Sequence, residues 1–242
     1  MKALSLFSLM VVALAACGGS RLAPRVEAPQ DPEPVVVPEP APAPAQPTTD
    51  IVITTGVHGN EPSGWLVQDQ LFALGFNVFG PCNPWGIQNN KRELEDGTDL
   101  NRAFAWEGYA EVDAVKKFLE ENPPGLLLDL HEDPNGTGAY LIQNGPDDDI
   151  ARAIIDALKD EFEFDPEPRS VITGENGLVK PTLQQLRGLL FLKVYGLAVY
   201  AWANYACTAI VVECPGAWPE DKRKRYQLRV CEVAREIYAA RR

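Results

Sequence analysis

The sequence contains two histidines, and each lies at the end of an apolar run. His58 is in "GVHGNEPSG", after the run "DIVITT", and Glu61 follows it by three positions. His131 ends the run "LLLDLH", and Glu213 lies in a third run, "AIVVECPG". Runs without polar alternation are typical of buried parallel strands, whose carboxyl ends meet at one edge of a sheet. The spacing therefore predicts that these four side chains lie together at that edge.

Such a group of side chains could form a zinc hydrolase site. Zinc prefers imidazole and carboxylate ligands, and a catalytic site keeps one position open for water. A turn beginning at Gly59 can bring His58 and Glu61 to one ion, and His131 would be the third ligand. Glu213, close by but not ligating, would take the proton of the attacking water and return it to a leaving nitrogen. A His-x-x-Glu pair alone arises by chance in many chains, but two histidines at one edge point to a single site.

A second group of functional residues lies in "NPWGIQNNKRELEDGTDLNRAF", residues 83–104. The planar group of arginine matches the two oxygens of a carboxylate, so Asn101 and Arg102 would clamp a carboxylate on the substrate. Because Leu100 and Phe104 flank Arg102, we expect this arginine to be buried rather than part of a solvated loop. Arg92 could face the oxygen that becomes negative as water attacks a carbonyl.

The rest of the sequence after Asp50 must position these residues. Apolar strands alternate with segments of helical periodicity, which predicts one α/β domain with a mainly parallel sheet covered on both faces. Among the helices, we predict one over "PSGWLVQDQLFALG" and one long helix over "LQQLRGLLFLKVYGLAVYAWANYA". No internal repeat and no second linker interrupt the domain.

The motifs "HGNE", "NPWG", "DLNRAF", "DLHED" and "VVECPG" come in the order used by the zinc carboxypeptidase (M14) family. The chain resembles this family from Asp50 to about Gly216, which is most of the domain. The resemblance implies an α/β, three-layer, zinc-carboxypeptidase-like fold with a mixed, mainly parallel sheet between helices. The domain is short for a digestive-type carboxypeptidase, so we expect the loops that shape the specificity pocket to be trimmed.

The resemblance also implies a role for each functional residue. One Zn²⁺ per domain would be held by His58, Glu61 and His131, with Glu213 as the catalytic glutamate. Asn101 and Arg102 would hold the terminal carboxylate of the substrate, and Arg92, ten residues before Arg102, would polarise the scissile carbonyl. The predicted activity is therefore that of a metallocarboxypeptidase or amidase, a hydrolase acting on an amide next to a free carboxylate.

Two questions about the activity stay open at the level of the sequence. The family has a tyrosine near the substrate, upstream of its glutamate, and here Tyr195, Tyr200 and Tyr205 are all in range. Short domains with "HGNE" and "DLNR" also occur in the aspartoacylase and succinylglutamate desuccinylase branch, which removes acyl groups from amino acids. A deacylase of N-acyl amino acids is therefore the alternative. A catalytically silent, lipid-anchored binding module is less favoured, because every expected ligand is present.

The N-terminus predicts export and lipid anchoring. "MKALSLFSLMVVALAAC" has a basic start, an apolar stretch and then small residues, so residues 1–16 read as a lipoprotein signal peptide and Cys17 as the lipidated residue. Gly18 after the cysteine, instead of aspartate, favours the outer membrane. Residues 17–49 are rich in proline and have no apolar face, which indicates an extended tether. Residues 50–242 form the catalytic domain.

Charge and location limit the partners. A formal net charge of -12 argues against nucleic acid and against an anionic membrane surface, so the membrane is contacted only through the lipid. In the bacterial envelope, with the domain in the periplasm or at the cell surface, the substrate would be a peptide or a peptidoglycan stem. In this oxidising compartment Cys82, Cys207, Cys214 and Cys231 could form one or two disulfides or stay buried thiols.

Overall fold

A computed structural model of the chain describes residues 50–146, 149–168, 172 and 174–241. The predicted signal peptide (1–16), Cys17 and the predicted tether (17–49) lie outside these residues. The strands of the described part are β1 (Ile51–Thr55), β2 (Asn77–Phe79), β3 (Leu126–Asp133), β4 (Tyr140–Asn144), β5 (Leu178–Val179) and β6 (Thr208–Pro215). Its helices are α1 (Pro62–Leu66), α2 (Gln68–Ala73), α3 (Pro84–Asn89), α4 (Ala110–Glu121), α5 (Ile150–Leu158), α6 (Leu183–Leu192), α7 (Leu197–Tyr205) and α8 (Glu220–Ala240).

The strands form one sheet in the order β2-β1-β3-β6-β4-β5. The neighbours from β2 to β6 are parallel, β4 is antiparallel to β6, and β5 is parallel to β4. His131 on β3 lies in register with Glu213 on β6, and Glu213 lies in register with Tyr140 on β4. The prediction of a mixed, mainly parallel sheet is confirmed, and its central strands carry the predicted functional residues.

Helices cover both faces of the sheet because the strands are apolar on both sides. Side chains alternate between faces along a strand, so Leu126 and Leu128 pack on one face and Leu127 on the other. The first face is covered by α2, α5 and α8, and the second by α4 and α7. This is the predicted three-layer arrangement, in which each fully buried leucine stabilises the fold by about 1.5–3 kcal/mol.

Two predictions of a continuous helix are wrong, because each of these segments forms two helices. The first divides into α1 and α2 at Val67, and the second into α6 and α7 between Lys193 and Gly196. Lys193 has a left-handed φ of 52° and ends α6. At Gly196 a Cβ atom would lie 1.9 Å from Oδ1 of Asn101, so only glycine permits this approach. The second break therefore docks the start of α7 against the predicted carboxylate clamp, a contact that a continuous helix could not make.

The structure leaves the cysteines of the domain as thiols. Cys82, Cys207, Cys214 and Cys231 are buried and unpaired with one another. Buried thiols in apolar surroundings have raised pKa values and low reactivity, and burial raises the pKa of Cys207 to about 12. The sequence left open whether these cysteines form disulfides or stay as thiols, and in the structure they are buried thiols.

The described helices differ in length and polarity. The longest, α8, runs for 21 residues and carries acidic residues in its first turn. None of the helices in the described part of the chain combines the length and the apolar character needed to span a bilayer.

Candidate active site

The structure brings the three predicted metal ligands together in a buried cluster. His58 and Glu61 lie in a turn after β1, closed by a hydrogen bond from the Glu61 N–H to the His58 carbonyl (3.2 Å). Nδ1 of His58 is 2.7 Å from Oε1 of Glu61, and Nδ1 of His131 is 2.8 Å from Oε2 of Glu61. The two Nδ1 atoms are 3.1 Å apart. All three side chains are buried, with at most 4% of each exposed.

The cluster fits a metal ion because the other nitrogen of each imidazole is already bound. Nε2 of His58 is 3.1 Å from Oδ1 of Asp99, and Nε2 of His131 is 3.0 Å from Oδ2 of Asp129. A carboxylate on the outer nitrogen fixes the ring and leaves the inner nitrogen free to ligate. Two ligands of a tetrahedral zinc ion, each at about 2.0–2.1 Å, lie roughly 3.3 Å apart. The separations of 2.7 to 3.1 Å observed here are close to this value.

Asp99 and Asp129 contact the predicted ligands and were not identified from the sequence. Asp129 is two residues before His131 on β3, so both side chains point to the same face of the strand. Thr54 on the neighbouring strand β1 donates a hydrogen bond to the other carboxylate oxygen of Asp129 (2.8 Å). The Asp-x-His spacing in "DLHED" was the signal that could have identified Asp129. No comparable local spacing links Asp99 to His58, which is 41 residues away.

The electrostatics of the cluster favour an ionised Glu61 and a protonated His131, and metal binding would displace the proton from the imidazole. Burial alone would raise the pKa of Glu61, but the charges of His131 and His58 and their hydrogen bonds outweigh it and hold this pKa well below 4.5. Burial alone would lower the pKa of His131, but Asp129 and Glu61 outweigh it and hold this pKa well above 6.5. The carboxylate is therefore deprotonated at neutral pH, as a metal ligand must be.

The loop that carries His58 is fixed by the "NPWG" segment. Gly59 touches the backbone of α3, where an added Cβ would lie 1.8 Å from the carbonyl carbon of Gly86. Asn83 is fully buried and caps α3 by accepting a hydrogen bond from the Gly86 N–H (2.8 Å). Its Nδ2 donates to the carbonyl of Glu93 (3.0 Å). One buried amide thus connects the metal-binding turn to the segment that carries Arg92.

Arg92 lies beside the metal cluster and forms two ion pairs. Nη1 is 2.8 Å from Oε1 of Glu61, and Nη2 is 3.2 Å from Oδ2 of Asp99. About a third of the side chain (35%) is exposed, so it can reach a ligand in the cavity. This position is compatible with the predicted contact to a carbonyl oxygen.

Asn101 and Arg102 lie in a 3₁₀ turn that Asp99 caps through the Asn101 N–H (2.9 Å). The expectation that Arg102 is buried is wrong. Leu100 and Phe104 are buried beneath the turn, whereas Arg102 is exposed and donates a hydrogen bond to the carbonyl of Asn101 (2.7 Å). The apolar neighbours anchor the turn and leave the guanidinium free to reach a carboxylate in solution.

Glu213 and Tyr140 face each other across β6 and β4. Burial raises the pKa of Glu213 to about 8, His131 opposes this effect, and nearby carboxylates add to it. Tyr140 donates a hydrogen bond to Oδ2 of Asp133 (3.0 Å) and is another residue that the sequence analysis missed. Burial, with the negative charges of Glu213 and Asp133 adding to it, raises the pKa of Tyr140, which keeps the phenol protonated.

Of the three tyrosines proposed from the sequence, Tyr195 lines the cavity described below. Tyr200 and Tyr205 are on α7 and pack against each other, with their ring centres 6.4 Å apart. Tyr200 also packs against Phe104. Tyr195 and Tyr140 are therefore the tyrosines placed to contact a ligand.

A single cavity of about 490 Å³ connects these residues. Its lining includes two of the predicted metal ligands, His58 and Glu61, and the four residues predicted to act on the substrate: Arg92, Asn101, Arg102 and Glu213. A volume of this size is typical of small-molecule and peptide sites, which are mostly apolar with a few polar groups that orient the ligand. Residues of the candidate metal cluster, the predicted carboxylate clamp and the candidate base thus line one cavity.

Comparison with known proteins supports this description of the fold. No protein-family model matches the chain, and no curated protein matches it in sequence. A proposed metallopeptidase from Shewanella denitrificans superimposes with a TM-score of 0.64 at 17% identity, covering 76% of this chain and 72% of that protein. One from Shewanella amazonensis gives 0.61 at 20% identity, covering 79% and 78%.

A third similar structure is the diaminopimelate-bound form of Csd4, a D,L-carboxypeptidase from Helicobacter pylori. It superimposes with a TM-score of 0.56 at 18% identity, covering 76% of this chain and 49% of Csd4, so the chain spans about half the length of that protein. These likenesses establish that the described chain has a metallopeptidase-type, carboxypeptidase-like fold.

Proposed function

We propose that the domain is a zinc-dependent carboxypeptidase or amidase that hydrolyses an amide bond next to a free carboxylate. One observation carries this proposal. In the ligand cluster of His58, Glu61 and His131, carboxylates bind the outer nitrogens, and His58 and Glu61 line the same cavity as Arg102 and Glu213. This reaction requires a metal site, a positively charged side chain such as Arg102 that binds the carboxylate, and a base, and the cavity contains a candidate for each.

The residues of the chain would divide the reaction among them. Asn101 and Arg102 bind the terminal carboxylate and so place the neighbouring amide over the ligand cluster. Zinc, when bound, supplies a Lewis acid and lowers the pKa of water toward about 7. Glu213 takes the proton of the attacking water and delivers it to the leaving nitrogen. Arg92 stabilises the negative charge that develops on the carbonyl oxygen.

The protonation of Glu213 sets a condition on this mechanism. Burial raises the pKa of Glu213 to about 8, so in the fold this side chain would be mostly protonated at neutral pH without a positive charge near it. Positive charge nearby favours the ionised form of a carboxyl group. Glu213 would therefore act as a base when the residues of the ligand cluster hold a divalent cation, because that charge favours its ionised form.

The proposed substrates are peptides of the bacterial cell envelope, including peptidoglycan stem peptides. Csd4, which shares the fold, is a D,L-carboxypeptidase with a diaminopimelate-bound form, and this supports a stem-peptide substrate. The lipoprotein signal predicted over residues 1–16, with Cys17 as the lipidated residue, supports a domain anchored by lipid at the outer membrane and exposed to the periplasm or the cell surface.

The test is incubation of the purified, zinc-loaded protein with stem peptides, ordinary peptides and N-acyl amino acids, with and without chelator, followed by mass spectrometry. We expect loss of single C-terminal residues that the chelator abolishes. Deacylation alone would show instead a deacylase of N-acyl amino acids. Absence of any product from a folded, zinc-loaded protein would contradict catalysis and favour a binding module.

Glu213→Gln is the control for the assignment of the base. This variant should keep the zinc content of the wild type, because Glu213 is not among the clustered ligands. It should lose turnover by a factor of about 10²–10⁴, the contribution typical of a positioned general base. Unchanged rates would show that another group takes the proton.

A further inference from the structure

The floor of the cavity changes in chemistry with distance from the metal cluster. It is formed by β4 and β6, on which alternate side chains share a face. Tyr140 lies in register with Glu213 at the reactive end, and Ile142 lies in register with Val211 next to it. Asn144 follows two residues further along β4, which corresponds to about 7 Å. The floor therefore passes from acidic to apolar and ends at a neutral amide.

The wall beside this floor is joined to the carboxylate clamp. Oδ1 of Asn101 accepts a hydrogen bond from the N–H of Leu197 (3.0 Å), at the start of α7. The next two residues of α7, Ala198 and Val199, line the cavity. A substrate residue whose carboxylate is held by the clamp would thus place its side chain against this apolar wall.

The charged residues of the cavity are confined to the other end. They belong to the metal cluster and the segments next to it: Glu61, Arg92, Arg102, Glu132, Asp133 and Glu213. Apart from these residues, His58 and the clamp residue Asn101, the described residues that line the cavity are apolar except Tyr140, Tyr195 and Asn144, and they include Pro181, Leu189 and Val194. Asn144 is only 3% exposed, and its Nδ2 donates to the carbonyl of Ala209 at 3.4 Å.

From this arrangement we infer that the substrate residue held by the clamp carries an uncharged, apolar side chain, and that Asn144 excludes charged ones. The inference rests on the proposed function and names its substrate class. A buried charge is tolerated only when an opposite charge pairs with it, and a neutral amide does not supply one. A stem peptide ending in alanine fits this pocket, whereas one ending in diaminopimelate brings an amine and a second carboxylate.

The first test compares blocked dipeptides that differ only in the C-terminal residue, in both stereochemical series. Each methylene buried in the pocket should raise kcat/KM about fourfold. We expect leucine and phenylalanine to exceed alanine by roughly tenfold or more. Lysine, aspartate and diaminopimelate should fall about a hundredfold below leucine. Equal or faster hydrolysis of the charged peptides would overturn the inference.

The second test changes the end of the pocket. Asn144→Asp adds a negative charge without a change of shape, so it should raise kcat/KM for lysine-ended peptides and lower it for leucine-ended ones. Asn144→Ala keeps the pocket neutral and should keep the apolar preference. Asn89→Asp, the same substitution at an exposed position outside the cavity, is the matched control and should change neither. An unchanged ratio of lysine to leucine in a folded Asn144→Asp variant would refute the role of Asn144.

A binding measurement separates this inference from the proposed function. Calorimetry with the zinc-loaded Glu213→Gln variant ranks the same peptides without turnover. Tighter binding of the leucine-ended peptide supports the inferred preference for apolar side chains, even if the Asn144→Asp variant fails to fold. Hydrolysis or binding that favours peptides with charged C-terminal residues refutes the inferred apolar preference and leaves the proposed function standing. Failure to bind or hydrolyse any of the peptides refutes both.

Discussion

Replacing Arg223 by methionine tests how the fold holds the metal-binding turn. Arg223 on α8 pairs with the carboxylate of Glu132, and both side chains are mostly buried (15% and 5% exposed). The same carboxylate accepts a hydrogen bond from the N–H of Ser63, just after Glu61. The N–H of Glu132 in turn donates to Oε2 of Glu61 (3.1 Å). Arg223 therefore neutralises Glu132, which forms one hydrogen bond with Ser63 and another with Glu61.

The expected loss of stability follows from the burial of this pair. Removing one partner of a buried ion pair costs about 3–5 kcal/mol because the other charge stays buried. Residual exposure of Arg223 places the estimate at the lower end, about 3 kcal/mol. For a domain of this size each kcal/mol lowers Tm by about 2–4 °C, so Tm should fall by roughly 6–12 °C. Zinc affinity should fall by about tenfold, because Glu61 loses part of its support.

The assay is a double-mutant cycle of Arg223→Met and Glu132→Gln, followed by urea denaturation and zinc titration. Glu132→Gln removes the charge that Arg223 compensates, so the double variant should be more stable than the sum of the single effects predicts. Lys224→Met is the control, since its partners Glu220 and Asp221 are exposed, and it should cost less than about 0.5 kcal/mol. A coupling energy near zero would show that the pair is not what holds the turn.

Three further predictions concern the site itself. Asp129→Asn should lower zinc affinity by about 10–100-fold, measured by competition with a chelating dye, because the outer nitrogen of His131 loses its carboxylate partner; an unchanged affinity would show that Thr54 and the strand orient the ring alone. Arg102→Met should raise KM for peptides with a free C-terminus but not for their C-terminal amides, and an equal change for both would refute the clamp. In chelator-treated protein, Glu61 contributes stability above pH 4.5, its ordinary pKa, because its pKa in the folded protein is lower. The free energy of unfolding should therefore fall as the pH drops below 4.5, and Glu61→Gln should flatten this dependence.

Local patterns were sufficient to predict most of the architecture. The run "LLLDLHED" was predicted as a strand from its leucines, and it forms β3 next to the middle of the sheet. The mixed, mainly parallel sheet between helices and its metallopeptidase-type fold are confirmed. The long helix after Pro181 was predicted wrongly because its periodicity continues across Lys193 and Gly196. Helical periodicity records which side chains are apolar, and it does not record that Gly196 must touch Asn101.

The sequence by itself determined which residues could do the chemistry. With two histidines in the chain, the predicted ligand set of His58, Glu61 and His131 followed from residue type and from the position of these residues near strand ends. The parallel arrangement of those strands brings their carboxyl ends to one edge, so distance along the chain was no obstacle.

Only the tertiary structure decided how these residues are held and what surrounds them. The partners of the ligands come from distant segments: Asp99 binds His58 across 41 residues, and Arg223 binds Glu132 across 91. The neutral end of the cavity at Asn144 likewise depends on the antiparallel pairing of β4 with β6. Such contacts leave no periodic trace in the sequence, because a side chain's partner across the fold is set by packing and strand order rather than by its neighbours in the chain.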